Sequence, residues 1–192
     1  MKKVILTIAA IAAVMSMTAC SGDTAVQSQT DAASTQAEQQ ESSVGTAAFT
    51  DENGVLTYLD TEHSPFDGAG LKITADKAAK TVKFVKTDLN GNETVEYYTF
   101  DYNSNTVEEY YYVSMMGTGF YYTYDLAAGE IVKIEDSDRN DSTQSTKDNG
   151  RYDSANEKMK GDVAAIESYF TEQYGVSVAD CLLYTSPSPR DA

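Results

Sequence analysis

Between Gly54 and Asp136 the chain is a succession of short β-branched and aromatic segments punctuated by turn residues, and that pattern admits little besides an antiparallel sheet. The segments read "GVLTYLD", "LKITAD", "TVKFVKTD", "ETVEYYTFDY", "TVEEYYYVSMM", "GFYYTYDL" and "EIVKIED". Such residues suit a pleated, half-buried surface. The separators "LNGN", "NSN", "GTG" and "AAG" supply Gly and Asn, which tolerate the positive φ of tight turns. Connections this short leave no room for crossovers, so successive strands are expected to be antiparallel neighbours in a meander.

A small internal repeat agrees. Tyr98-Thr99-Phe100-Asp101 recurs as Tyr122-Thr123-Tyr124-Asp125, with Val107 and Tyr110 matching Ile131 and Ile134 in phase. A weaker echo runs from Asp88 to Val95. Each copy reads strand, Asp, short turn, strand.

Downstream the period changes. "SANEKMKGDVAAIESYFTEQYG" opens with Ser154 and Glu157 in capping-box spacing and places Met159, Val163, Ile166 and Phe170 on one helical face. Gly175 stands where a C-terminal cap belongs. Gly161 inside the helix costs about 1 kcal/mol relative to Ala. The following "VSVAD" is a candidate for one more strand. The expected fold is therefore α+β: an antiparallel β-meander sheet with one packed C-terminal helix, C-terminally truncated.

The truncation follows from the end of the chain. "CLLYTSPSPRD", Cys181 to Asp191, resembles letter for letter one reading frame of the transposon-end adapter used in sequencing libraries. On that resemblance the natural chain stops near Asp180, and residues 181–192 are an adapter artefact.

The N-terminus carries an address. "MKKVILTIAAIAAVMSMTAC" has a basic start, an apolar run too short to span a bilayer, and small residues before a cysteine. Met17-Thr18-Ala19-Cys20 resembles the lipobox of bacterial lipoproteins, with Met17 where Leu is usual. The resemblance implies a signal peptide over residues 1–19, lipidation of Cys20 and anchoring on the extracytoplasmic face of the cell membrane. Double acylation suffices for stable anchoring, at about 0.8 kcal/mol per buried methylene. A lipidated Cys20 cannot also form a disulfide with Cys181.

Residues 20–48 then combine the lipidated cysteine with a Ser-, Thr-, Gln- and Ala-rich tether that lacks aromatics and apolar periodicity. As a flexible coil it would hold the domain roughly 30 Å from the membrane. The sheet is expected over residues 49–136, a polar loop over 137–153, and the helix with the end of the same domain over 154–180.

Composition then narrows the function. The 192 residues carry a formal charge of -16, which repels phosphates and argues against nucleic acid as a partner. There are 14 Tyr and no Trp. Alternation sets Tyr98, Phe100, Phe120, Tyr122 and Tyr124 on one face, with Tyr97 and Tyr121 opposite; Tyr110, Tyr111 and Tyr112 supply both faces. One face is core, and the other is a candidate stacking platform on which Tyr97, Tyr111 and Tyr121 are the ligand-binding candidates. Asp136, Asp138 and Asn140 alternate as in a calcium loop, but Asp141 stands where that loop needs Gly and Lys147 where it needs Glu. His63, the only histidine, sits in the turn-like "DTEHSPFDG", and no nucleophile-elbow, histidine-zinc or phosphate-loop motif accompanies it.

No cofactor is implied. The resulting expectation is a membrane-anchored extracytoplasmic lipoprotein with a Tyr-rich, acidic β-sheet domain, non-enzymatic, binding a glycan or other ligand or an envelope protein. The alternative is a fragment of a cell-surface enzyme whose catalytic residues are scattered or lie beyond the truncation.

Overall fold

The computed structural model describes residues 49–183. The expected leader, Cys20, the tether and residues 184–192 lie outside the described residues.

Eight strands form one antiparallel sheet in strict sequence order. They are β1 (Thr50–Glu52), β2 (Val55–Asp60), β3 (Gly70–Asp76), β4 (Thr81–Thr87), β5 (Glu93–Asp101), β6 (Thr106–Val113), β7 (Thr118–Asp125) and β8 (Glu130–Glu135). A short helix α1 (Thr143–Asp148) and a long helix α2 (Tyr152–Tyr174) follow, then a 3₁₀ turn, Asp180–Leu183. The α+β meander expected from the turn chemistry is the observed architecture.

The turns show why the order is so regular. Asp76, Asp101 and Asp125 each end a strand, Asp51 is the second-last residue of β1, and all four accept backbone N–H groups of the turn that follows. A left-handed residue completes each turn: Gly54, Lys80, Asn105 and Gly129. Neighbouring turns are also laced together, since the N–H groups of Lys77, Tyr102 and Leu126 donate to the carbonyls of Gly54, Lys80 and Asn105. The repeat therefore has four copies at about 25-residue spacing, one hairpin each, where the letters reveal two. What repeats is an aspartate and a backbone conformation, and only the last two copies also share their aromatics.

Helix α2 covers one face of the sheet. Met159, Val163, Ile166 and Phe170 are buried, as the periodicity predicts, together with Tyr169 and Tyr174. They meet Leu56, Leu71, Ile73, Val82, Phe84, Phe100 and Val107 from the strands. Phe170 lies edge-on to Phe84, with ring centroids 5.9 Å apart. Gly175 caps the helix in the left-handed conformation, its N–H donating to the Thr171 carbonyl.

Four expectations are corrected. Helix α2 begins at Tyr152, so Ser154 and Glu157 fall inside its first turns and form no capping box; Arg151 is the N-cap, without a side-chain cap bond. The start is set by a tertiary contact: the Tyr152 hydroxyl donates to the Ile131 carbonyl, and the Ile131 N–H donates to Asn156 Oδ1 at 2.7 Å. Residues 137–153 are not all loop, because α1 lies within them. It buries no residue and has no apolar period to announce it. Its Thr143 Oγ1 accepts the Ile134 N–H at 2.9 Å, so the free edge of β8 is closed by helical side chains.

"VSVAD" forms no strand. Ser177 and Asp180 cap one another, Asp180 N–H to Ser177 Oγ and Ser177 hydroxyl to Asp180 Oδ2, which starts the 3₁₀ turn. Cys181 is buried in that turn as a small hydrophobe, and burial pushes its thiol pKa up to about 12. Finally, Tyr110 is not in phase with Ile134. The β7–β8 register shifts between Thr123 and Tyr124, leaving Val132 as the extra residue, so Ile131 and Ile134 both face the core. No such shift occurs in β6, so Tyr110 faces away from the side that buries Val107.

Candidate functional site

On the uncovered face, Tyr97, Tyr110 and Tyr121 are direct cross-strand partners on β5, β6 and β7. Their ring centroids are 6.0 and 4.6 Å apart. Both ends of this ladder are occupied. The Lys83 ammonium sits 4.1 Å from the Tyr97 ring, and the Arg139 guanidinium 3.3 Å from that of Tyr121. Arg139 is held there by Glu108 at 2.7 Å and Glu135 at 3.3 Å. The Tyr97 hydroxyl donates to Glu108 at 2.8 Å; burial, then Glu108, raise its pKa above the ordinary phenol value. Tyr110 lies over Gly119, where an added Cβ would come within 2.5 Å of the ring. Aromatic side chains commonly cover a strand glycine in this way.

The structure thus brings Tyr97 and Tyr121 together and separates Tyr111 from them. Tyr110 takes the place between them. Tyr111 is on the other face, where it lines a cavity of about 560 Å³. That volume lies within the range of small-molecule sites. Tyr111, Phe120 and Tyr122 form its aromatic wall on β6 and β7, while α1 and the first turns of α2 close over it with Ser145, Thr146, Arg151 and Lys158. The hollow exists because α2 crosses the sheet beside this corner and α1 roofs it. Nothing local in the sequence marks it.

A partly buried polar cluster borders the cavity. The Tyr98 hydroxyl lies 2.9 Å from Glu109 Oε1 and 2.6 Å from Asp162 Oδ2, and Lys158 Nζ lies 2.8 and 2.6 Å from the same two oxygens. A phenol has one proton, so it serves one carboxylate at a time while the ammonium holds both. Burial, then Glu109 and Asp162, raise the Tyr98 pKa far above the ordinary value, so it stays a neutral donor. Burial pulls Lys158 down, but Glu109 and Asp162 outweigh it and keep the amine charged. A second cluster ties the far end of α2 to β2: Asp60 Oδ2 accepts the hydroxyls of Tyr169 at 2.8 Å and Tyr174 at 3.3 Å.

The remaining candidates are separate from the cavity. Asp136 Oδ1 accepts the N–H groups of Asp138 and Asn140, both at 2.9 Å, and the Asn140 side chain bonds the same carboxylate. These bonds hold Asp136 below the usual carboxylate range, with the Asn140 amide the largest cause. The alternation of Asp136, Asp138 and Asn140 is thus accounted for by a turn closing on itself. Among the described residues no group of three or more His, Cys, Asp or Glu is arranged to hold a metal ion. His63 is exposed, its Nδ1 3.5 Å from Asp60 Oδ1.

Fold and site together define a single-sheet α+β domain with one helix-covered face and an aromatic-walled cavity at its corner. Compared with protein-family models, curated proteins and solved structures, the chain matches none.

Proposed function

We propose that this chain is a lipid-anchored extracytoplasmic binding protein, held to the membrane through Cys20 and taking a small ligand in the cavity beneath α1. The observation that carries the binding half is the cavity itself, an aromatic wall with a few converging polar groups. The anchoring half rests on the leader-like N-terminus, the lipobox resemblance and the tether composition. The ladder of Tyr97, Tyr110 and Tyr121 is a weaker candidate, because Lys83 and Arg139 already occupy its outer rings.

Expression in a bacterial host tests the anchor: the native chain partitions with membranes and the Cys20→Ser chain does not. Equal partitioning of the two would end that reading. A thermal-shift screen of the whole chain against sugars, sugar acids and short peptides tests the cavity. A hit abolished by Tyr111→Ala supports it, and a flat screen counts against it.

The enzyme reading has one observation in its favour, the two carboxylates Glu109 and Asp162 beside the cavity. Tyr98 and Lys158 engage one oxygen of each, Glu109 Oε1 and Asp162 Oδ2. Sequencing the gene past the codon for Asp180 tests this reading. A catalytic motif there would favour the enzyme.

A further inference from the structure

Charge is distributed unevenly around the cavity. Of the two described arginines, Arg139 is clasped by Glu108 and Glu135 on the open face. Arg151 lines the cavity, is exposed, and has no carboxylate within ion-pairing distance among the described residues. Among the described residues Glu109 is the one acidic side chain lining the cavity, and its Oε1 is bonded by Tyr98 and Lys158. In a chain with 30 acidic against 14 basic residues, a cavity that offers an unpaired guanidinium and one carboxylate already paired to Lys158 is set apart from the surrounding field.

The other linings fit the same ligand. Ser145 and Ser154 add to the lining hydroxyls that can donate to an anion or bond a ligand hydroxyl, while the Ser142 hydroxyl already donates to the Asn140 carbonyl at 3.3 Å. Tyr111 and Tyr122 form a wall against which a flat or ring-shaped body can pack, with the Lys158 ammonium 5.1 Å from the Tyr111 ring centroid. Guanidinium binds carboxylate and phosphate through paired, charge-assisted hydrogen bonds, which fix orientation as well as adding energy.

From this arrangement we infer that the cavity takes a small ring-bearing anion, its ring against Tyr111 and Tyr122 and its carboxylate or phosphate on Arg151. This deepens the binding proposal and rests on it. The net charge of -16 opposes an anion at long range, so recognition is local and Arg151 is the residue on which discrimination depends.

The test uses the whole ¹⁵N-labelled chain and two matched pairs of probes: D-glucuronate against D-glucose, and phenyl phosphate against phenol. The expected result is saturable movement of backbone amides between residues 142 and 158 with at least one anion, and binding of its neutral partner weaker by about tenfold, the worth of one charge-assisted contact. Which anion binds distinguishes a sugar acid from an aromatic phosphate. Arg151→Gln, at an exposed position, should remove the difference within the pair while Tyr111→Ala weakens both members. Equal binding of anionic and neutral probes, or an unchanged preference in Arg151→Gln, overturns the anion assignment and leaves the cavity standing. No movement with any of the four at millimolar concentration overturns the assignment and the cavity reading together.

Discussion

On the helix-covered face, Phe84, Tyr98 and Phe100 have no exposed surface and pack with Phe66, Tyr102 and Phe170. On the opposite face Tyr97, Tyr110 and Tyr121 stay half-buried and pack on one another, on Gly119 and on two cations. The two faces use nearly the same residue types on the same strands. They differ in the second layer. Where a helix lies on top, aromatic area leaves water completely and a polar tip must find a buried partner, as Tyr98 does in Glu109 and Asp162. Where the described residues supply no second layer, the rings pack on one another and the hydroxyl of Tyr97 reaches a half-buried carboxylate on its own face. An antiparallel sheet can be stable in both situations at once.

The widest separation between the faces should come from truncating one ring on each. Phe170→Ala is expected to cost about 3–5 kcal/mol in urea unfolding, as for a fully buried aromatic, and Tyr110→Ala about 1 kcal/mol, as for a cross-strand pair. Equal losses would mean that the open face is covered in solution. The ion pairs should separate similarly. Lys158→Met strands the buried Glu109 and is expected to cost about 2 kcal/mol, less than a fully buried pair because Lys158 is half exposed. Arg139→Met removes the half-exposed pair with Glu108 and leaves the buried Glu135 its bond from Lys133, so it should cost less than about 1 kcal/mol.

Steric fit sharpens the picture of the open face. Gly119→Ala places a methyl against the Tyr110 ring and should destabilise by about 1 kcal/mol, a loss that disappears when Tyr110 is already Ala. Survival of the loss in the double variant would show that the strand itself, not the ring, demands glycine. On the covered side Gly161 has open space around its would-be Cβ, so Gly161→Ala should stabilise by roughly 1 kcal/mol with no change in the cavity.

The smallest effects per residue belong to protonation. Burial alone would raise the Asp60 carboxyl, but the N–H groups of Glu62 and His63 and the Tyr169 hydroxyl hold it below the usual range. Glu135 on the open face is lowered chiefly by its bond from Lys133. A carboxyl depressed by folding contributes stability that is complete above its unfolded value, near pH 4, and is lost as pH falls through the folded value. Melting temperature should therefore be flat from pH 7 to about 5 and decline below about pH 4. Asp60→Asn should flatten that decline more than Glu135→Gln, and the reverse order would remove the distinction between the faces for charge.

Much of this was legible because it is local. Each turn is specified by an aspartate, a short polar stretch and a residue that tolerates positive φ, all within a few positions. The buried face of α2 is specified by a 3.6-residue period that Met159, Val163, Ile166 and Phe170 keep throughout. Three consecutive tyrosines carry no phase of their own, so alternation within them does not separate Tyr111 from Tyr97 and Tyr121. The neighbouring Val107, which must face the core, assigns Glu109 and Tyr111 to its side and Tyr110 to the other. That signal was present in the strand and would have found Tyr110.

The sequence by itself determined the meander, the hairpin spacing, the helix face and the leader-like N-terminus, since these depend on propensity and pattern over a few residues. The tertiary structure alone decided where α2 begins, that α1 closes the edge of β8, that Glu109 is buried beside Lys158, and that a cavity opens between Tyr111 and Arg151. Those features join residues from separate elements. Their positions follow from how a rigid helix crosses a twisted sheet, and no stretch of a few residues contains that geometry.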